Sequence, residues 1–399
     1  MPPAGSRRSN EWIFFPCISR VPWAISTTVK IKTIETFLVP PRSALVKVHT
    51  ESDIVGWGEC TLESRAKTTC TAVEELSRKL IGQDARRIEH LWQMMYRGSF
   101  YRGGPILCSA ISGIEQALWD IKGKALQQPV WQLLGGKCRD RIRIYKHVGG
   151  GTLDALRKSC EKAVAEGFTA VKSSPVPGAM ELAAGAGEIK KAAAHVRAMR
   201  EAIGDDVYLM LDFHGRVSPS NAIQICAAIE EYRPFFVEEP CLQENVDTMA
   251  RIARTTKIPI ATGERLFTKY GFREVLEKQA AAILQPDVSH AGGILECKKI
   301  AAMAEAYYVG IAPHCPLSAI AFAACLQLDA CTPNFVVQEQ INLGEGLLKN
   351  AFRQKNGFVD VPTGDGLGIE VDEKALKKGQ WKDWDVPDLH HADGGYADW

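Results

Sequence analysis

The sequence predicts an α/β fold: a (β/α) barrel of the TIM type, in the modified (β/α)7β form, with a smaller α+β capping domain. Three observations predict it. From about residue 141, short β-rich runs alternate with helical stretches, as in repeated βα units around a parallel sheet. There are eight such runs, the number that closes a barrel. Before residue 135 the order differs, strands first and helices after, as in an α+β domain.

The bulk properties set limits on function. At 399 residues the chain is longer than one ordinary domain needs. Apolar residues make up 46% and charged residues 24%, an ordinary soluble globular composition. With 48 basic and 47 acidic residues the net charge is +1, which offers no electrostatic case for nucleic acid or an anionic membrane as partner. No apolar run is long enough to span a bilayer. None of the twelve cysteines has C-x-x-C spacing, and several, such as Cys226 and Cys325, sit in apolar runs. They read as reduced core residues of a cytoplasmic protein.

Residues 1–29 read as a ragged N-terminal extension. Ser6-Arg7-Arg8-Ser9 precedes Trp12-Ile13-Phe14-Phe15, but Pro16 cuts that apolar run short of what a cleaved signal needs. Residues 30–135 read as the capping domain. Over 30–57, apolar and polar residues alternate, with breaks at Pro40-Pro41 and Asp53, which predicts two or three antiparallel strands ending in Gly56-Trp57-Gly58-Glu59. From 68 to 125 the spacing becomes helical: Ala72, Leu76, Leu80, then Leu91, Met94, Met95, then Ile111, Ile114, Leu118, Ile121. Gly103-Gly104-Pro105 and Gly135-Gly136 punctuate these helices.

Residues 136–345 read as the barrel. The strands are expected at 141–147, 170–173, 207–213, 235–239, 258–264, 282–287, 309–314 and 335–339. Helices fall between them, for example at 153–166, 222–232 and 296–307. No Gly-x-Gly-x-x-Gly follows the first strand, so a dinucleotide fold gains no support. After Gln340 the pattern weakens. Residues 346–399, with a turn cluster at 364–368 and Trp381, Trp384 and Trp399, are expected to return to the capping domain.

The chemistry lies at the strand ends. The last six strands end in Asp212-Phe213-His214, Glu238-Glu239-Pro240, Glu264-Arg265, Asp287, His314 and Glu339. From Asp212 to Glu339 the steps are 26, 26, 23, 27 and 25 residues, each about one βα unit. One ionisable group beginning a solvated loop is unremarkable; six in register at the C-terminal ends of barrel strands mark an active site. Asp212, Glu238 and Glu264 come from consecutive strands, about 4.8 Å apart. Three carboxylates that close repel unless a cation neutralises them, and an all-oxygen donor set suits Mg²⁺. Asp287 and His314 come from adjacent strands, and a carboxylate beside an imidazole makes a general-base dyad. His214 is placed to face His314 across the cavity, one as acid and one as base. Lys172 reads either as a site residue or as an exposed lysine. His290 reads as a turn cap, Glu239 as a supporting group, and His390-His391 as an unremarkable tail pair.

At these residues the sequence resembles the enolase superfamily, and within it the galactonate dehydratase branch of the mandelate racemase group. The resemblance runs from about Ile31 to the tail and rests on the strand-end motifs above. It also rests on Gly56-Trp57-Gly58-Glu59, Phe100-Tyr101-Arg102-Gly103-Gly104-Pro105 and the segment 117–124. It implies Asp212, Glu238 and Glu264 as Mg²⁺ ligands and His314, oriented by Asp287, as the base that removes the proton α to a carboxylate. It further implies His214 as the acid that assists loss of the 3-hydroxyl, and Glu339 as a neighbour of the substrate carboxylate. The implied reaction is dehydration of a sugar acid, D-galactonate first, to a 2-keto-3-deoxy acid by a symmetric homo-oligomer. Racemase-type relatives carry Lys-x-Lys at the second barrel strand; Lys172-Ser173-Ser174 lacks the second lysine, which favours one-base dehydration over racemisation. Gluconate or another aldonate as substrate, epimerisation, and a non-catalytic sugar-acid binder remain alternatives.

Overall fold

The computed structural model of the protein describes Met1 and residues 29–176, 178–377 and 380–399, with only the backbone at Lys377. The expected N-terminal extension lies, except for its two ends, outside the described residues.

β1 (Ile31–Val39), β2 (Ser43–Thr50) and β3 (Val55–Glu59) form an antiparallel sheet in chain order. α1 (Ala66–Ser77), α2 (Ile88–Arg97), α3 (Gly104–Leu126) and the short α4 (Val130–Leu133) follow. α3 begins on Gly104-Pro105, where proline's preset φ suits the first helical turn. It is buried on nearly every side because it lies between the sheet and the barrel. The glycines of β3 permit this approach: a Cβ on Gly58 would stand 1.9 Å from the Gly113 carbonyl oxygen, and one on Gly56 2.0 Å from that of Ala117.

β4 (Arg141–Arg143) leads into the barrel strands β5 (Lys146–His147), β6 (Ala170–Ser173), β7 (Tyr208–Asp212), β8 (Phe236–Glu238), β9 (Ile260–Thr262), β10 (Ile283–Leu284) and β11 (Gly310–Ile311). β5 to β11 pair in parallel, each with its sequence neighbour. The helices after them are α5 (Leu153–Ala165), α6 (Ala186–Ile203), α7 (Pro219–Ile229), α8 (Val246–Thr255), α9 (Thr268–Glu277), α10 (Ile294–Ala306) and α11 (Ala319–Ala330). The eighth strand position, 335–338, is held by two parallel bridges, Ile311 to Phe335 and Ile144 to Gln338. The Val336 amide donates to the Ile311 carbonyl (2.8 Å) and the Gln338 amide to that of Arg143 (2.9 Å), so the ring closes. No helix follows directly, which is the (β/α)7β arrangement. The closed barrel has its own core of one inward residue per strand position: Tyr145, Ala170, Met210, Phe236, Ala261, Ile283, Ala312 and Val337. Large and small side chains share this layer, which fills the barrel beneath its C-terminal mouth.

The expected first strand, 141–147, is a correction. It divides: β4 pairs antiparallel with β13 (Phe358–Asp360), itself joined to β12 (Gln354–Lys355), and only β5 joins the barrel sheet. Alternation along 141–147 is continuous, and the partner that takes its first half lies more than two hundred residues away.

Two buried glutamates join the small domain to the barrel. The Glu59 carboxylate accepts from Ser318 Oγ (2.5 Å) and from the amides of Ser318 and Ala321 at the start of α11. Glu115 accepts from the amides of Ile294 (2.7 Å) and Leu295 (2.9 Å) at the start of α10. Each satisfies first-turn N–H groups that a helix leaves unpaired. From the C-terminal segment, Leu347, Leu348, Val371 and Leu376 pack on Leu45 and Trp57 of the antiparallel sheet. No helix among the described residues is long and apolar enough to cross a membrane.

Candidate active site

The strand ends converge on a cavity of about 710 Å³ at the C-terminal mouth of the barrel. Asp212 and Glu238 are the last residues of β7 and β8 and are paired across the ladder, so their side chains leave the sheet together. Glu264 follows β9 by two residues. Carboxylate oxygens of Asp212, Glu238 and Glu264 all lie within 4.8 Å of one another. The structure thus brings the three predicted ligands together, and they are the one such cluster among the described residues. His390 and His391 belong to none.

His314 Nδ1 lies 2.8 Å from Asp287 Oδ2. A carboxylate can only accept here, so Nδ1 donates and Nε2 is the nitrogen that exchanges a proton with the cavity. Nε2 faces the cavity, 3.5 Å from Glu264 Oε2 and 3.8 Å from Glu339 Oε2. Burial opposes a charge on this ring, but the Glu264 and Glu339 carboxylates and the Asp287 hydrogen bond outweigh it and hold His314 well above the ordinary histidine value. His214 lines the same cavity from β7, four strand positions from β11 in either direction. Its Nδ1 is 2.6 Å from Arg216 Nη2, a donor, so Nδ1 accepts and the ring proton sits on Nε2, 3.2 Å from Asp212 Oδ2. His214 (φ 51°) and Glu239 (φ 42°) both have left-handed backbone, strain of the kind that gathers at functional sites. Arg265 stabilises that turn. It pairs with Glu239 Oε2 at 2.5 Å and donates to the His214 carbonyl at 2.9 Å, which gives Glu239 its supporting role.

Lys172 is not an exposed lysine. It is 3% exposed, with Nζ 2.8 Å from Glu238 Oε2, 3.1 Å from Asp212 Oδ2 and 3.2 Å from Glu339 Oε1. Burial disfavours its charge, yet the Glu238 and Glu339 carboxylates raise it well above the ordinary lysine value. In return, despite burial, Lys172 and then His214 hold Asp212 below the usual carboxylate range. Glu339 is likewise held low, against burial, by Lys172 and His314. Glu238 and Glu264 go the other way: burial raises both, and the neighbouring carboxylates add to it, Asp212 for Glu238 and first Glu239 for Glu264. Burial and like charge together push these acids up, so further positive charge would stabilise their ionised forms. Glu238 Oε1 is also buried without a hydrogen-bond partner. A hard cation satisfies both conditions, so the donor set fits Mg²⁺.

Sequence reasoning missed three residues. His147, at the end of β5, bonds Glu339 Oε1 through Nε2 at 2.8 Å. It ends the first barrel strand as Asp212 and Glu238 end theirs, and that was the available signal. His290 is not a simple turn cap: it is buried, lines the cavity and bonds Ser109 Oγ through Nδ1 at 2.9 Å. Trp399 lines the cavity from a segment with no periodicity, so nothing in the sequence placed it there.

Residues 20–135 match the mandelate racemase/muconate lactonizing enzyme N-terminal domain, and residues 155–375 match the enolase C-terminal domain-like family. The chain is 48% identical over 385 residues to D-galactonate dehydratase of Cronobacter sakazakii, covering 93% of this chain and all of that protein. It is 47% identical over 383 residues to the D-galactonate dehydratase of Ralstonia nicotianae, with the same coverage. Among solved structures, an enolase from Agrobacterium radiobacter with Na and L-malate bound superposes with a TM-score of 0.87 at 31% identity, over 92% of this chain and 99% of that one. An enolase superfamily member from Salmonella Typhimurium gives a TM-score of 0.84 at 32% identity, over 88% and 98%. On this agreement of both halves, over nearly the whole length, the chain belongs to the mandelate racemase/muconate lactonizing enzyme family of the enolase superfamily.

Proposed function

We propose that this protein is a carbon–oxygen lyase that dehydrates a sugar acid, D-galactonate first among candidates, to a 2-keto-3-deoxy acid. The observation that carries the reading is the pairing of two histidines with different partners on opposite sides of one carboxylate-lined cavity. The relatives named D-galactonate dehydratase support the same reaction class.

Asp212, Glu238 and Glu264 would hold Mg²⁺. Bound there, the ion would supply positive charge against the negative charge that builds on a substrate carboxylate. The chain's own groups do the rest. His314 Nε2 takes the proton from C2, while Asp287 fixes the ring and compensates the imidazolium it becomes. The C–H electron pair passes into the adjacent carboxylate. It returns to form the C2–C3 double bond as the C3–O bond breaks, and His214 Nε2 delivers the proton that lets hydroxide leave as water. The enol then tautomerises to the keto acid. Lys172 would attract the substrate carboxylate, and Glu339, 3.2 Å from it, would hold its ammonium in position between the triad and His314. Racemisation needs a second base facing His314, and the end of β6 offers only Ser173, followed by Ser174, after a lysine already engaged by three carboxylates.

The test incubates the protein with Mg²⁺ and a panel of aldonic acids, D-galactonate and D-gluconate included, and detects 2-keto-3-deoxy product. One acid is expected to give product. His314→Asn should slow that reaction by about 10³-fold or more, within the usual range for loss of a general base. A C2-inverted acid in place of a keto acid would establish epimerisation, and no reaction with any acid would sink the lyase reading.

A further inference from the structure

We propose that Trp399 is a positioning residue for the His214 ring, and that residues 380–399 form a strap that builds the elimination side of the cavity. The inference rests on the dehydratase reading and adds a division of labour to it.

The indole of Trp399 stacks on the His214 imidazole, with centroids 5.2 Å apart and planes 25° apart. Behind it the ring of Trp384 meets Trp399 edge to face at 6.3 Å, and the Arg42 guanidinium lies 5.0 Å over Trp384. Arg42 donates to the Pro316 carbonyl at 2.6 Å, two residues beyond His314. Arg42, from the antiparallel sheet's first turn, thus ties the outer side of the strap to the rim of the barrel, away from the His314 ring.

The strap is held on several sides. The Ala397 amide donates to the Leu389 carbonyl (2.9 Å) and the His391 amide to that of Gly395 (2.8 Å). Tyr396 OH donates to Asp388 (2.8 Å), the Val386 amide to Ser64 Oγ (3.2 Å), and Lys67 pairs with Asp383 (2.8 Å). Leu389 rests on Gly178 in the loop after β6. These contacts place Trp399 without any regular element.

The two nitrogens of His214 have partners in Arg216 and Asp212. The Asp212 contact must open when the Nε2 proton passes to the substrate, and the stacked indole then keeps the ring from turning about its Cβ–Cγ axis. It also covers one face of the imidazole with an apolar surface. His314 gains nothing from it, because Asp287 orients that ring from the other side of the barrel. Trp399 thus acts on C–O cleavage and leaves C2 proton removal alone.

The two steps are separable in D₂O. When elimination is slow, His314 removes the C2 proton and returns a deuteron from solvent, so unreacted acid gains deuterium at C2 with no other bond changed. The 399-residue chain with Mg²⁺ is incubated with the acid that the wild type converts, and proton NMR follows keto-acid formation and the C2–H signal together. Trp399→Ala is expected to lower product formation by about 10- to 100-fold, the scale of weakened acid catalysis. C2 exchange into remaining substrate should meanwhile appear at a rate within about threefold of wild-type turnover, and Trp399→Phe, which keeps a planar face, should restore product formation. Should Trp399→Ala fail to fold, Trp399→Leu, which keeps bulk without the face, is compared with Trp399→Phe. Product and exchange falling by the same factor, or neither changing, overturns the positioning role while the dehydratase reading stands. No keto acid from the wild type with any acid overturns both.

Discussion

Lys172 is the residue on which the charge balance of the site turns. One ammonium, almost wholly buried, faces Asp212, Glu238 and Glu339 at 2.8–3.2 Å. Removing one partner from a buried ion cluster leaves uncompensated charge, at a cost of roughly 3–5 kcal/mol. Lys172→Met should therefore lower the melting temperature without metal and regain more of it on adding Mg²⁺ than the wild type does. Calorimetry with and without the ion reads this, and an unchanged apo protein would show that the carboxylates are protonated instead. His195 makes a prediction on pH. Burial pushes this imidazole down to about 4 from 6.5, and its Nε2 bonds Ser173 Oγ at 3.0 Å. Above pH 6.5 the ring is neutral in the folded and unfolded chain alike, so its contribution to stability is fully present. As pH falls from 6.5 towards 4, the unfolded chain takes up the proton more readily, and up to about 3 kcal/mol is lost. In urea melts at pH 7 and pH 5, His195→Gln should lose less stability between the two than the wild type; equal losses would assign the slope to other groups.

At the scale of elements, the function depends on how β3 and α3 meet the barrel helices. Glu59 ends β3 and accepts the first amides of α11, the helix that follows the His314 loop. Glu59→Ala would leave those donors and the Ser318 hydroxyl buried without an acceptor, at roughly 1–3 kcal/mol for each unsatisfied group. A loss of about 3 kcal/mol in chemical denaturation is expected, with less in Glu59→Gln, which still offers an acceptor. Equal effects of the two would point to charge instead of hydrogen bonding. Much at this scale was legible. The strand ending in Gly56-Trp57-Gly58-Glu59 and the helix through Ile111, Ile114, Leu118 and Ile121 were both expected from the sequence. That the backbone of α3 approaches this strand, and that Glu59 serves α11, was not legible. Both facts depend on contacts between residues more than fifty and more than two hundred and fifty positions apart.

For the whole molecule, the arrangement predicts that metal and fold are thermodynamically linked. Three carboxylates from three strands meet only when the barrel is closed, so an ion that binds them binds the folded state alone. At a hundred times its dissociation constant such a ligand adds about 2.7 kcal/mol to stability. Mg²⁺ should raise the melting temperature of the wild type and leave that of Glu238→Gln nearly unchanged. A variant stabilised as much as the wild type would place the ion elsewhere.

The spacing of strand-end residues by itself determined the barrel and the pairing of Asp287 with His314. Register in a parallel barrel is local and repetitive: each βα unit brings its last residue to the same rim, so equal steps along the chain become neighbours in space. Asp212, Glu238 and Glu264 could be assembled on that basis before any coordinates. The tertiary structure alone decided the rest. The burial of Lys172, the division of residues 141–147 between two sheets, the contact of His290 with Ser109, and the stacking of Trp399 on His214 are choices between distant segments. No periodicity encodes such choices, because they are settled by which surfaces remain to be covered once the barrel has closed.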